Sequence, residues 1–222
     1  MESQSLSTPD SYGGYRQQLV ETLQAKGIRD LAVLNAVATI PRHRFVPEGV
    51  RHRAYEDSAL PIAAGQTISQ PWVQARSLQE LQLTGREKVL EVGAGSGYQT
   101  ALLSLLAGNV VAVERVPALA EGARRTIREL ALRNVSVVVG DGTLGWRSLA
   151  PFDAIVVAAA SPSVPEPLLE QLAPGGRMII PIGTRNEQTL MRIEKGQGGA
   201  VKATPISDVR FLPLLGTFGF RG

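Results

Sequence analysis

Three carboxylates between residues 88 and 142 stand where a nucleotide-like ligand would need them. The apolar run Lys88-Val89-Leu90-Glu91-Val92 leads into Gly93-Ala94-Gly95-Ser96-Gly97, and a helical stretch opens at Tyr98. Glycines at such a turn let the chain reverse tightly and let a ligand approach backbone where a side chain would collide. A ligand at the carboxyl end of the first strand is therefore implied. A dinucleotide fingerprint would put its third glycine at position 98, where this chain has Tyr98, and a glycine loop alone is equally compatible with a plain tight turn. Glu91, two residues before Gly93, offers a carboxylate to the amino-acid or ribose end of a ligand. Glu114 closes the run Val110-Val111-Ala112-Val113, 21 residues after Gly93, the offset at which an acid reaches a ribose diol. The alternative for Glu114 is a polar strand end. Asp141, followed by Gly142, closes a third run, where an acid can accept from an adenine amino group while a backbone N–H meets the ring. Packing alone gives no reason for an acid at the end of each of three successive strands.

The elements that carry these residues follow from periodicity. Apolar runs Lys88 to Gly93, Val110 to Glu114, Val135 to Asp141, Phe152 to Ala160 and Arg177 to Gly183 alternate with helical stretches at Tyr98 to Ala107, Pro117 to Leu132 and around Pro167 to Leu172. Runs apolar on both faces and separated by helices specify a parallel sheet covered on both sides. The fold class is thus α/β, a doubly wound, mostly parallel, Rossmann-like sheet. Two further strands, Thr189 to Lys195 and Ala203 to Leu215, joined by the turn Gly196 to Gly199, predict an antiparallel C-terminal edge. Ahead of the core, Tyr12 to Lys26 and a stretch capped by Asp30 and stopped by Pro41 predict N-terminal helices, and Met1 to Asp10 reads as disordered. Residues 42 to 70 are irregular, and a connection of that length is usually functional. The expected organisation is one domain over 1–222: helices and a substrate loop to about 85, the ligand-binding core over 86–183, and terminal strands over 184–222.

Composition narrows the chemistry. With 222 residues and 44% hydrophobic content the chain can bury one sizeable core. It has no cysteine and only His43 and His52 as imidazoles, which makes metal chemistry a poor expectation and removes the cysteine nucleophile. No apolar run approaches the roughly 18 residues of a membrane span, and the first ten residues lack a hydrophobic signal core. The expected location is cytoplasmic, with no membrane partner. The net charge is +3, and basic residues are scattered apart from Arg42, His43, Arg44, Arg51, His52 and Arg53. That cluster is either a nucleic-acid patch or a solvated basic loop near an anionic substrate; no aromatic platform is interleaved, so no nucleic-acid partner is expected.

The glycine loop with its preceding acid, the acid after the second strand and the acid after the third resemble the class I S-adenosylmethionine-dependent methyltransferases, and Pro174-Gly175-Gly176 matches a turn common before the fifth strand of that fold. The segment Gly65-Gln66-Thr67-Ile68-Ser69-Gln70-Pro71 resembles the G-Q-T-I-S-x-P motif of the protein-L-isoaspartate O-methyltransferase family. Arg44 to Pro47, Ala54 to Asp57, Gly140 to Gly142 and Val209 to Leu214 match further motifs of that family in order, so the resemblance spans about Tyr15 to Leu214. Two departures stand out: Ile62-Ala63-Ala64-Gly65 where Ile-Gly-x-Gly is common, and Trp72-Val73 where His-Met or Tyr-Met often follows the proline. Trp72 is either a packing residue or a substrate contact.

The resemblance implies S-adenosylmethionine as cofactor, with S-adenosylhomocysteine as product, and isoaspartyl proteins and peptides as partners of a monomeric enzyme. It implies Ser69 as the active-site residue. The cofactor would meet Gln66, Thr67, Ile68, Ser69, Glu91, Gly93, Ala94, Gly95, Gly97, Glu114, Arg115, Asp141 and Gly142, with no metal. Ser69 also reads plainly as the cap of a helix starting at Pro71. A carboxylate acceptor, ionised at neutral pH, needs no general base, which agrees with the lack of an evident catalytic histidine. The rival reading is a class I methyltransferase acting on RNA or a small metabolite. It is disfavoured because Ala158-Ala159-Ala160-Ser161-Pro162 lacks the amide and aromatic that hold an exocyclic amine. A nucleotide-binding module without catalysis is the other alternative.

Overall fold

The computed structural model describes residues 12–221, and the head Met1 to Asp10, expected to lack order, lies outside them. Helices α1 (Gly13–Ala25) and α2 (Leu31–Thr39) come first. Asp30 caps α2 as its position suggests: its Oδ1 accepts from the N–H groups of Ala32 at 2.9 Å and Val33 at 3.2 Å. Pro41 forces Ile40 into extended backbone, and the helix ends there. Leu19 and Leu23 of α1 and Val33 and Val37 of α2 face the core.

The long connection is not structureless. It holds short 3₁₀ turns at Arg42–Phe45, Glu48–Arg53 and Ala63–Gly65, and an antiparallel ribbon of β1 (Leu60–Pro61) with β2 (Thr67–Ile68), Leu60 opposite Ile68. Pieces of two to six residues are too short to show a period in sequence. Helix α3 (Pro71–Leu81) then begins on its proline and stops where Gln82 turns left-handed.

Among the described residues the main sheet has seven strands in the order β5-β4-β3-β6-β7-β8-β9. These are β3 (Lys88–Val92), β4 (Asn109–Glu114), β5 (Val135–Val139), β6 (Phe152–Val157), β7 (Leu172–Gly183), β8 (Gln188–Lys195) and β9 (Val201–Val209). The first five pair in parallel, and β8 and β9 add antiparallel. Helices α4 (Tyr98–Leu106), α5 (Pro117–Glu129) and α6 (Glu166–Gln171) make the crossovers. Alternate residues of the strands serve opposite faces. Val89, Ala154 and Val156 pack toward α4 and the N-terminal helices, whereas Leu90, Val92, Val111 and Ile155 pack toward Leu168 of α6. Among the described residues no helix is long and apolar enough to cross a membrane.

Two boundaries differ from expectation. Strand β7 starts at Leu172, straight out of α6, five residues before Arg177. Strand β9 stops at Val209 although apolar residues continue to Leu215. Pro213 has no N–H for a ladder, and the segment instead turns across the carboxyl ends of the strands, where Ala160 N–H donates to Leu212 O at 2.8 Å and Leu214 N–H to Ala160 O at 2.7 Å.

The alternation that packs Val89 against α4 also decides the place of Glu91. Its side chain is fully buried on that same face and accepts from Thr100 Oγ1 at 2.5 Å and Gln99 Nε2 at 3.2 Å, both on α4. The expectation that Glu91 meets a ligand directly is therefore corrected: it ties the first turn of α4 to the strand. Burial drives its pKa up to about 8, against the pull of Thr100 and Gln99.

Gly97 is the residue from which α4 departs, at φ +87, and a Cβ there would stand 2.9 Å from Ala123 Cβ on α5. Gly97→Ala is expected to cost about 1–3 kcal/mol through strain and overpacking. An unchanged denaturant midpoint would contradict this. For Glu91, the folded chain holds a proton that the unfolded chain releases near pH 4.5, so its contribution to stability falls between about pH 4.5 and 8. Glu91→Gln is expected to flatten that slope and to gain on wild type as pH rises, on the order of a few kcal/mol at pH 8. Parallel melting-temperature curves for the two proteins across this range would refute it.

Candidate active site

A cavity of about 780 Å³ opens at the carboxyl edge of the parallel strands, the place a doubly wound sheet offers a ligand. Its floor is the glycine loop after β3 and the ends of β4 and β6; Gly93, Gly95, Glu114 and Ala158 all border it. Gly93 and Gly95 take positive φ, +89 and +56. Gly142, at the end of the loop after β5, has no room for a side chain, since a Cβ would lie 2.5 Å from Val92 Cγ1.

Glu114 is the one carboxylate that borders the cavity among the described residues. Its Oε2 accepts from Gly95 N–H and its Oε1 from Val116 N–H, each at 2.8 Å. These two bonds fix the acid and join the loop after β3 to the start of α5. Each oxygen keeps a further lone pair, so a vicinal diol can still be gripped. Arg115, Arg185 and Arg210 are exposed and border the same opening. A carboxylate at the floor and guanidinium groups at the rim suit a ligand pair with both signs of charge.

A further part of the wall comes from the segment after β1. Gln66, Thr67, Ser69 and Gln70 border the cavity. Ser69 is half-buried, and its hydroxyl makes no hydrogen bond among the described residues. The plain capping reading is not met, because α3 takes Gln70 as its first flanking residue and no side chain caps it by that route. Asp57 holds that end instead: its Oδ1 accepts from Trp72 N–H at 2.8 Å and its Oδ2 from Gln70 Nε2 at 3.1 Å and Lys26 Nζ at 2.6 Å. Trp72 Nε1 donates to Lys26 O at 3.1 Å, and the side chain does not border the cavity.

Five of the sequence-derived ligand residues lie behind the wall rather than on it. Glu91 is sealed under α4. Ile68 is buried in the N-terminal core. Ala94 is buried and its N–H goes to Val113 O at 3.2 Å, while Gly97 serves the helix turn. Asp141 Oδ1 accepts from Thr143 N–H at 2.9 Å and Thr143 Oγ1 at 2.6 Å. Its Oδ2 accepts from Thr217 N–H at 2.8 Å and Thr217 Oγ1 at 2.9 Å. Burial alone would raise the Asp141 pKa, but these bonds outweigh it and hold the carboxyl below its ordinary value. The Asp141 carboxyl thus latches the chain's own C-terminal tail, and Gly142 beside it borders the cavity. That tail also stacks Phe220 under the Arg185 guanidinium, 5.1 Å from the ring centre, and Arg185 Nη2 donates to Arg221 O at 2.6 Å.

Residues 210 to 215 were not foreseen as cavity wall, yet Arg210 to Leu215 border it throughout. The signal was Pro213, which argues against a continuing strand. The basic cluster is also altered: Arg42 is wholly buried, Arg44 pairs with Glu129 at 2.5 Å and Arg53 with Glu56 at 2.9 Å. His43 lies outside the cavity beside Tyr55, and burial, with Arg16, Arg51 and Arg44 nearby, lowers its pKa. No imidazole borders the cavity, and no cluster of potential metal ligands occurs among the described residues.

Comparison with known proteins agrees with this geometry. The family model for protein-L-isoaspartate(D-aspartate) O-methyltransferase matches residues 15–218. A protein-L-isoaspartate O-methyltransferase of Dictyoglomus thermophilum is 49% identical over 221 residues, covering 100% of both chains. One from Geotalea uraniireducens is 50% identical over 208 residues, 93% of this chain and 96% of the relative. A solved protein-L-isoaspartate O-methyltransferase superposes with a TM-score of 0.83 at 30% identity, over 92% of this chain and 67% of that one. A second, from Plasmodium falciparum and in complex with S-adenosyl-L-homocysteine, gives a TM-score of 0.79 at 29% identity over 90% and 98%. With the family model covering almost the whole described chain and relatives near half identity over their full lengths, this chain belongs to the protein-L-isoaspartate(D-aspartate) O-methyltransferase family.

Proposed function

We propose that the chain methylates the free carboxylate of L-isoaspartyl residues in damaged proteins and peptides, with S-adenosylmethionine as donor, and so starts their repair. One observation carries the reading beyond family membership: the Glu114 carboxylate, the glycine loop and the Ser69 segment border a single cavity. The residues fit the donor. Glu114 keeps lone pairs for a ribose diol, and Gly93, Gly95 and Gly142 leave backbone bare where a side chain would intrude. Gln66, Thr67 and Arg115 border the donor in this reading and Ser69 stands where donor and acceptor meet; Glu91, Ala94, Gly97 and Asp141 support the donor side from behind.

S-adenosylmethionine, when bound, supplies an electrophilic methyl on a sulfonium. The chain's own task is then to hold a carboxylate in line with that methyl and to exclude water. An isoaspartyl carboxylate has an ordinary pKa near 4 and arrives ionised, so no residue has to take a proton. The absence of an imidazole from the described wall suits that chemistry. Ser69 Oγ donates a hydrogen bond to one carboxylate oxygen and leaves the other free to attack. Val73, Phe211, Leu212 and Leu214 make the wall apolar enough to strip water from the pair. The methyl ester formed carries methoxide as its leaving group, which departs far more readily than the oxygen of a free carboxylate. Attack by the neighbouring peptide nitrogen then expels methanol and closes a succinimide, whose hydrolysis returns part of the material to normal aspartate. The chain acts as a free-standing enzyme on other proteins, and we place it in the cytoplasm.

Labelled methyl is expected to pass from S-adenosylmethionine to an isoaspartyl peptide and not to its normal aspartyl twin. Ser69→Ala is expected to lower kcat about 10- to 100-fold, the worth of a hydrogen bond to a charged group, with S-adenosylhomocysteine affinity unchanged by calorimetry. Equal labelling of the two peptides would overturn the substrate assignment, and an unaltered rate in Ser69→Ala would remove Ser69 from the mechanism.

A further inference from the structure

We infer that Arg42 is a positioning residue for the methyl acceptor: a buried cation that fixes the backbone of Ser69 and leaves its positive charge for the acceptor carboxylate. The inference rests on the function proposed above. Arg42 is wholly buried at the foot of the segment that walls the acceptor end. Its Nη2 donates to Ser69 O at 2.7 Å and its Nη1 to Gln74 Oε1 at 2.8 Å, while its Nε has no partner. The guanidinium carbon lies 4.7 Å from the centre of the Tyr98 ring.

A guanidinium this deep is ordinarily matched by a carboxylate. Here none of the described residues places one within ion-pair distance. Asp57 is the acid whose charge reaches it, and Asp57 is already committed to Lys26, Gln70 and Trp72 N–H. The partners of Arg42 are a carbonyl, an amide and an aromatic face, all neutral. Burial lowers its pKa to about 10, which still leaves it charged at neutral pH. The chain therefore carries a buried guanidinium with no ion-pair partner one hydrogen bond behind Ser69, which borders the cavity.

The contact also sets direction. In a trans peptide the carbonyl and the following N–H point opposite ways. With Ser69 O held toward Arg42, Gln70 N–H is aimed away from it, and Gln70, like Ser69, borders the cavity. Lysine in this place would keep the charge but could not serve Ser69 O and Gln74 Oε1 from one planar fork. Arg42 makes no hydrogen bond to Glu114 or to residues 93 to 97; its contact toward that side is the ring of Tyr98, which also packs on Phe45 at 5.4 Å. Changes at Arg42 are therefore expected to act on the acceptor more than on the donor.

The test compares wild type, Arg42→Met, Arg42→Lys and Gln74→Met by steady-state kinetics on an isoaspartyl peptide. S-adenosylhomocysteine affinity is read by calorimetry, and folding is checked by circular dichroism at the assay temperature. Arg42→Met is expected to raise KM for the peptide at least about tenfold, with S-adenosylhomocysteine affinity within about twofold. Arg42→Lys is expected to recover part of that loss, and Gln74→Met to raise KM by less than Arg42→Met. Identical KM values for Arg42→Met and Arg42→Lys would overturn the role of charge. A fall in donor affinity parallel to the rise in KM would overturn the inference in favour of a general packing role. If Arg42→Met does not fold, wild-type KM in both Arg42→Lys and Gln74→Met overturns it, and a raised KM in both supports it. A wild-type protein silent on the isoaspartyl peptide would instead sink the proposed function, so the two failures are separate.

Discussion

The cavity depends on one carboxylate being held by backbone. Glu114 sits at the last position of β4, and its two oxygens take N–H groups from loops that follow different strands, Gly95 after β3 and Val116 before α5. Removing either bond frees a loop and leaves a buried charge short of partners, which is expensive in a low-dielectric site. The positive φ at Gly93 and Gly95 is what brings the Gly95 N–H to the acid. Strand register, glycine conformation and ligand grip are therefore a single arrangement, and the acceptor wall has only to be brought opposite it.

That opposing wall is built quite differently. It is a short ribbon and a run of 3₁₀ turns, anchored through side chains. Asp57 organises the start of α3 from outside, and Arg42 reaches in from below to hold Ser69 O. A rigid sheet edge grips the larger partner while a side-chain-tethered segment presents the variable one.

The core was legible in sequence because each element carried its own signal. Both-face apolar runs such as Val110 to Val113 gave parallel strands, Asp30 and Pro41 marked the limits of α2, and the offset from Gly93 picked out Glu114. Less could be read where the decisive fact was a partner distant along the chain. Glu91 looked like a ligand acid until the pleat turned it toward Thr100, and Asp141 until Thr217, 76 residues on, took its second oxygen. Arg42 read as part of a surface cluster, since nothing local distinguishes a buried arginine from a solvated one. The stretch after Val209 read as strand because its apolar residues face a cavity, and apolar content does not say which.

The tail latch ties the closure of the cavity to a contact between segments far apart in the chain. Leu214 and Leu215 close the wall, and Thr217 and Phe218 secure them by hydrogen bonds to Asp141 and Thr143. Asp141 and Thr217 are 76 residues apart in sequence, so this side of the cavity stands only while two distant segments stay joined, and loosening that junction opens the wall without touching the sheet or the glycine loop.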